Sequence, residues 1–409
     1  FFWAAISMME VALWSALLLL LIWRLTRLVR PDGVDRDHWI VVAAALLPLT
    51  RPEGVAVTVG LLAGTALLCW RLPRVLVVAL GAALASFAAL TAFRLAYFGF
   101  PVPNTFYAKV SSDRVQDLVD GLKYLFSFVT GFPFAEILLL AWGLAALAVV
   151  LRLRSAPRGR PLLIPAAGLF GMLATYAFLG GDHFAYWRFY EPVLPLLALI
   201  VGLASAAAWP QVATFASRPV RAVLMAAVAG TWLGISYGDY RQARFDLVKE
   251  ITLVEQGMEY GRVANGLVPR PTLAVVPAGG VALTYEGPVL DLLGLNWVAM
   301  AHAEAEKVGV RSHASFNKKV FWQHPPDLFV EFNRDCSMAF FEIQPAEISV
   351  LKGLQHDARF REAFTPLRLL HDGGCWRAYA LRSWLAETES DILAPVDWDS
   401  VEAPRAPDA

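Results

Sequence analysis

The first 238 residues are a string of apolar runs, and no other feature limits the fold of this chain so strongly. The runs fall at 1–23, 39–50, 55–70, 75–97, 134–151, 161–179, 190–208 and 220–238. A helix needs about 20 apolar residues to cross a bilayer. Inside the bilayer every backbone polar group must be satisfied within the protein, so helical spans are the natural outcome of such a sequence. Composition agrees. Apolar residues make up 57% of the chain, against roughly 45–50% in soluble domains. The excess stops at residue 238, and 239–409 has the make-up of an ordinary soluble domain.

The connectors between the runs alternate in charge. Arg24–Arg36, Arg71–Arg74, Arg152–Arg160 and Arg218–Arg221 are basic, while 51–54, 98–133, 180–189 and everything after 238 are not. Basic connectors stay on the cytoplasmic side. The expected topology is therefore a multi-pass membrane protein, surrounded by membrane lipids, with its polar connectors and C-terminal domain on the outer face. Formal net charge is zero and no basic stripe is present, so nucleic acid is not an expected partner. The chain opens on Phe1-Phe2-Trp3 inside an apolar run, which reads as the loss of an N-terminal portion.

Three polar clusters fall on the outward connectors. In the first, Arg51-Pro52-Glu53-Gly54 separates two runs too short to span comfortably, as in a broken hairpin that turns below the membrane surface. Pro52 removes a backbone donor and Gly54 permits an unusual turn. Arg51 and Glu53 either face a wet cavity or simply pair at an interface. The second cluster begins with the proline-stiffened Pro101-Val102-Pro103 and carries Asn104, Tyr107 and Lys109. Asn104 fits a turn or a contact to a sugar hydroxyl; Lys109 fits a mobile charge for an anion or a snorkelling side chain. Beyond it, Val115, Leu118, Val119, Leu122, Leu125 and Phe126 have the spacing of a helix lying along a membrane surface. The third cluster runs Gly180-Gly181-Asp182-His183 and on through Trp187, Arg188, Phe189 and Tyr190. Asp182 is expected to pair with Arg188. Adjacent Asp182 and His183 are a weak metal signal with no spaced partners, and no metal is expected.

The soluble half reads as a small α/β domain over 239–386. Thr272–Val276, Val281–Tyr285, Val289–Leu292, Asp327–Glu331 and Trp376–Leu381 are expected strands, with a helix near Val298–Lys307. Gly279-Gly280 is not a nucleotide fingerprint, which needs a longer spaced set. The acidic stretch 387–409 is expected to be disordered. Of the three cysteines, Cys336 and Cys375 either pair in an oxidising compartment or remain thiols, and Cys69 lies in an apolar run.

Read together, Met8-Met9-Glu10, Arg51-Pro52-Glu53-Gly54, Tyr97 through Lys109, Gly181-Asp182-His183-Phe184, Arg188 through Pro192 and Asp291 through Asn296 resemble bacterial membrane glycosyltransferases of the C-type fold. The nearest are those related to the terminal β-(1→2)-arabinofuranosyltransferase of actinobacterial arabinan. What the resemblance implies is an α-helical polytopic membrane protein with a C-terminal extracytoplasmic α/β domain. It also implies inverting transfer of a sugar, arabinofuranose in those relatives, from a polyprenyl-phosphate donor to a cell-envelope glycan or lipid acceptor. A carboxylate would take the acceptor proton while cations stabilise the departing phosphate. The family's base is an aspartate in a first outer loop, which would precede residue 1. Here Glu53 and Asp182 are the candidate catalytic carboxylates. Glu10, Arg51, Asn104, Tyr107, Lys109, His183, Arg188 and Tyr190 are the candidate substrate-binding residues, with Arg51, Lys109 and Arg188 assigned to the phosphate. Met8 stands where the family usually has glycine.

Two other readings remain open. A transporter or flippase for a lipid-linked substrate would also gather charge in a cavity, although it predicts internally repeated halves, which are not evident. A non-catalytic membrane scaffold predicts that Arg51, Glu53 and Arg188 are replaceable.

Overall fold

The computed structural model describes residues 10–30, 36–69, 72–109, 114–131, 157–182, 185–200, 251–276, 278–303, 315–335, 350–372 and 374–398, with scattered positions between 217 and 248. The fold is mostly helical, with a sheet toward the C-terminus. It divides into two compact units. One comprises Phe1–Val102 with Asp113–Leu247; the other comprises Pro103–Ser112 with Val248–Ala409. The longer stretch of the second unit begins at Val248, nine residues beyond the change in composition after 238.

In the helical unit, α1 is Val11–Leu28, α2 His38–Thr50, α3 Gly54–Cys69 and α4 Arg74–Phe98. The short α5, Asn104–Lys109, belongs to the other unit. The helical unit then continues with α6, Arg114–Gly131, and α7, Leu163–Phe178. Among the described residues three stretches, Val11–Leu28, Arg74–Phe98 and Arg160–Phe178, are long and apolar enough to cross a membrane. Leu21, Ile22, Ile40, Leu47, Leu169, Met172 and Leu196 are buried in one common core. Hydroxyls within the apolar helices turn back on their own backbone: Ser15, Thr26 and Thr65 each donate to a carbonyl four residues earlier, at 2.7 Å. That satisfies a polar group where no water is at hand.

Helix lengths set the relief of this unit. At 1.5 Å per residue, α2 and α3 rise about 20 and 24 Å while α4 rises about 37 Å. A hydrocarbon core is about 30 Å thick. The α2–α3 hairpin is thus too short to reach across beside α4. Gly54 makes the hairpin tight, because a Cβ there would stand 2.4 Å from the Leu47 carbonyl oxygen. Its use is close approach rather than the unusual turn expected from the sequence. The opposite end of the hairpin is pinned by Asp37, which caps α2 at Trp39 N and takes Arg24 Nε at 2.6 Å.

The second unit holds a six-stranded mixed sheet in the order β2-β1-β3-β5-β4-β6. The strands are β1 Leu273–Val275, β2 Val289–Asp291, β3 Leu328–Asp335, β4 Phe364–His371, β5 Gly374–Leu381 and β6 Leu393–Pro395. β1 pairs in parallel with β2 and β3, and the remaining pairs are antiparallel. Alternation along β1 sends Ala274 into a core with Phe329, Phe360 and Tyr379, and Leu273 and Val275 into another with Tyr260, Val281 and Trp376.

Two sequence expectations are corrected here. Residues 281–285 were expected as a strand but lie mainly in a helix, Gly279–Thr284. β1 and β2 are parallel, so the chain must cross over between them, and a helix does this. Gly280 lets that helix press against the helix at 251–264, since a Cβ there would stand 2.1 Å from the Val254 carbonyl oxygen. The stretch after Glu387 is not wholly disordered: β6 closes the sheet against β4, and Trp398 donates to the Phe364 carbonyl at 3.0 Å. Leu393 and Trp398 anchor a segment whose average composition is acidic. Residues 399–409 lie outside the described residues, as do the expected span 134–151 and much of 190–208 and 220–238.

Candidate functional site

Arg51 is the hub of the helical unit's polar end. It follows the last residue of α2 in extended conformation, and its side chain meets two other connectors. Nε donates to Glu53 Oε1 at 2.6 Å and Nη1 donates to Glu10 Oε1 at 2.7 Å. Glu10 precedes α1 and Glu53 precedes α3. Tyr176, in the last turn of α7, donates its hydroxyl to the same Glu53 oxygen at 3.1 Å. The guanidinium also lies 4.5 Å from the centre of the Phe189 ring and 5.5 Å from that of Tyr176. Glu10, Tyr176 and Phe189, all remote from Arg51 in sequence, therefore converge on one cation beside its near neighbour Glu53. The Arg51 side chain is 11% exposed, Glu53 15% and Glu10 41%, so Glu10 is the carboxylate that solvent or a ligand reaches.

Asp182 and Arg188 form the expected ion pair, Oδ2 to Nη2 at 2.5 Å, with both side chains almost entirely buried. Gly180 and Gly181 make the turn that brings Asp182 there, with φ of 88° and 76°, a conformation that glycine adopts without strain. Arg188 packs on the Phe189 ring at 5.1 Å, so Phe189 touches both arginines. Both arginines assigned to a phosphate thus carry carboxylate partners in this structure. Tyr190 is a packing residue as well as a polar one. It is buried, stacks on Tyr124 at 5.0 Å and donates to the Leu173 carbonyl at 3.3 Å.

The remaining candidates divide between the units. Asn104, Tyr107 and Lys109 belong to the second unit, on α5. Asn104 Nδ2 donates to the carbonyls of Gly294 and Leu295 at 2.8 and 3.0 Å, and Tyr107 lies 3.9 Å from the His302 ring. Lys109 closes α5. Gly294 and Leu295 belong to the loop built on Asp291. That carboxylate accepts from Leu293 N at 3.0 Å and from Asn296 N at 2.9 Å. Burial pushes the Asp291 carboxyl above its ordinary range, and the amides of Asn296, Leu293 and Leu295 partly pull it back. Asn104 is thereby a docking residue for the Asp291 loop. His183 lies outside the described residues. Among the described residues no group of three or more His, Cys, Asp or Glu is placed to hold a metal.

Sequence reading missed Tyr176, whose signal was a lone phenol at the end of an apolar run, facing an outward connector. It also missed the grip of α6 on the third cluster. Trp187 Nε1 donates to Ser127 Oγ at 2.8 Å, and a Cβ on Gly181 would stand 2.4 Å from Tyr124. Comparison of the chain with family models, with curated proteins and with solved structures finds no match in any of the three. The class that the fold itself defines is a mostly helical chain with, among the described residues, three helices able to cross a membrane and a mixed sheet.

Proposed function

We propose that the chain is a multi-pass membrane protein of a bacterial cell membrane. Its helical unit acts as an inverting glycosyltransferase on a polyprenyl-phosphate sugar, with an envelope glycan or lipid as acceptor. The observation that carries this reading is the meeting of Arg51, Glu10, Glu53, Tyr176 and Phe189 at the end of a hairpin too short to span. Ionised groups held at that depth are costly, about 2.5–3.5 kcal/mol each on insertion scales, and mark substrate pathways. The opposite end of the bundle carries Arg24 and Arg27 around the exposed Trp23, at 5.5 and 5.8 Å from its ring. A basic, aromatic inner interface has that character. Cys375 is disulfide-bonded, which supports an oxidising, extracytoplasmic setting for the sheet unit; Cys336 lies outside the described residues.

In this reading the donor phosphate binds by anion exchange on Arg51. Glu53 stays on Nε, braced by Tyr176, and the more exposed Glu10 gives up Nη1 to a phosphate oxygen. Glu10 is then released beside the reacting sugar as a carboxylate able to take a proton. The transfer breaks the bond from the sugar's anomeric carbon to the phosphate oxygen and forms one to the acceptor oxygen. The acceptor proton goes to a carboxylate and the bond electrons to the phosphate. Asp182 positions Arg188 rather than acting as the base, because their pairing leaves it 1% exposed.

The test is sugar transfer from radiolabelled polyprenyl-phosphate donors to envelope acceptors in proteoliposomes. Labelled product supports the reading. Donor movement across the bilayer without product would assign a flippase instead, and neither binding nor product with several donors would assign a scaffold.

A further inference from the structure

Helix α6 has three distinct faces. Gly121 and Phe128 are buried, and a Cβ on Gly121 would stand 1.8 Å from the Ala177 carbonyl oxygen, so this side lies against the backbone of α7. A second side is polar: Asp120 accepts from Gln116 at 3.0 Å and pairs with Lys123 at 3.3 Å. The third side carries Leu118, Val119, Leu122 and Phe126, all exposed, with Leu122 at 50% and Phe126 at 69%. At 100° per residue these four share an arc of about 100°, the width of the apolar stripe by which a helix buries itself.

The occupant of that stripe follows from its neighbours. Ala177, which backs Gly121, belongs to the last turn of a helix able to cross a membrane, and the next residue, Phe178, is 60% exposed. The span that backs α6 thus ends on an exposed apolar residue. A helix with one apolar face, one polar face and a lysine near the boundary is suited to the zone between headgroups and acyl chains.

We propose that α6 is an interfacial helix whose Leu118–Val119–Leu122–Phe126 face is immersed in the lipid leaflet at the Arg51 end of the bundle. The inference rests on the membrane reading above and deepens it. The same helix holds the third cluster through Tyr124, which stacks on Tyr190, and from its polar side through Ser127, which accepts from Trp187. Lipid seating of α6 thus fixes the turn that carries Arg188 and Phe189.

Single cysteines at 122, 126, 116 and 120, on a Cys69→Ser background, labelled with an environment-sensitive fluorophore, test this in nanodiscs of brominated phospholipid. A fifth cysteine at Leu84, exposed midway along α4, serves as the span control. Expected is strong quenching at 84, 122 and 126, at least threefold greater than at 116 and 120. Quenching at 84 with none at 122 and 126 would overturn the interfacial helix and leave the membrane reading standing; no quenching at 84 would overturn both. Disulfide-linked dimers through position 126 would assign the stripe to a second copy of the chain instead.

Discussion

Arg51 Nη1 and Glu10 Oε1 meet at 2.7 Å across 41 residues of sequence, tying the start of α1 to the end of α2. Arg51 also carries Glu53, so one cation serves two carboxylates, and the one it holds nearer solvent is Glu10. Replacing Glu10 by Gln removes a competing anion without removing volume. The expected result is tighter binding of a polyprenyl-phosphate lipid by about three- to tenfold, up to about 1.4 kcal/mol. Isothermal titration in nanodiscs measures it. Weaker binding would place Glu10 among the groups that hold the donor and end the exchange mechanism.

Tyr176 is buried and braces Glu53 from α7 at 3.1 Å. A hydrogen bond to a charged group contributes about 1.5–3 kcal/mol. Tyr176→Phe keeps the ring against Phe189 and loses only the donor. It is expected to lower stability by that order in a detergent unfolding titration, with the helical signal before unfolding unchanged. An unaltered midpoint would mean that Glu53 is held by Arg51 alone.

The Asp182–Arg188 pair gives a different signature. Its side chains are 1% and 10% exposed, and removal of one partner from a buried pair costs about 3–5 kcal/mol because the other charge is left without compensation. Arg188→Met and Asp182→Leu are each expected to be strongly destabilising. The double variant should recover most of the loss. Additive losses in a double-mutant cycle would show that the two charges do not depend on one another.

In the sheet unit, burial pushes the Tyr285 hydroxyl up to about 12, and it donates to the Pro271 carbonyl. The folded state therefore holds this proton more tightly than the unfolded state does. Its contribution to stability is complete below pH 10 and is lost as pH rises through 12. Unfolding of the wild-type protein between pH 9 and 12 is expected to show a steeper alkaline loss than that of Tyr285→Phe. Parallel profiles would mean that the hydroxyl is not held this way.

Much of the helical unit is legible from apolar periodicity and from charge at the connectors. The short runs at 39–50 and 55–70 announce the hairpin, and Asp182 with Arg188 reads as a pair because both lie in one connector. Tyr176 was not legible as a partner of Glu53, because what joins them is packing between helices 123 residues apart in sequence. In the sheet unit, β4 and β6 escaped notice for separate reasons. Pro366 and Arg368 interrupt the apolar pattern of β4, and the acidic stretch around β6 hides the anchors Leu393 and Trp398. Residues 281–285 have strand-like composition, yet the parallel pairing of β1 with β2 requires a crossover there. Asn104 looked like a turn or sugar-binding residue, while its amide is spent on two carbonyls of the Asp291 loop.

The most direct test of the central claim is binding of a polyprenyl-phosphate sugar to the wild-type chain and to Arg51→Ala, in nanodiscs. Binding does not depend on which carboxylate serves as base. The account predicts saturable binding to the wild-type chain, weakened at least tenfold in Arg51→Ala, with the unlabelled polyprenyl phosphate competing and the free sugar not. Equal binding to both proteins, or none to either, would contradict it.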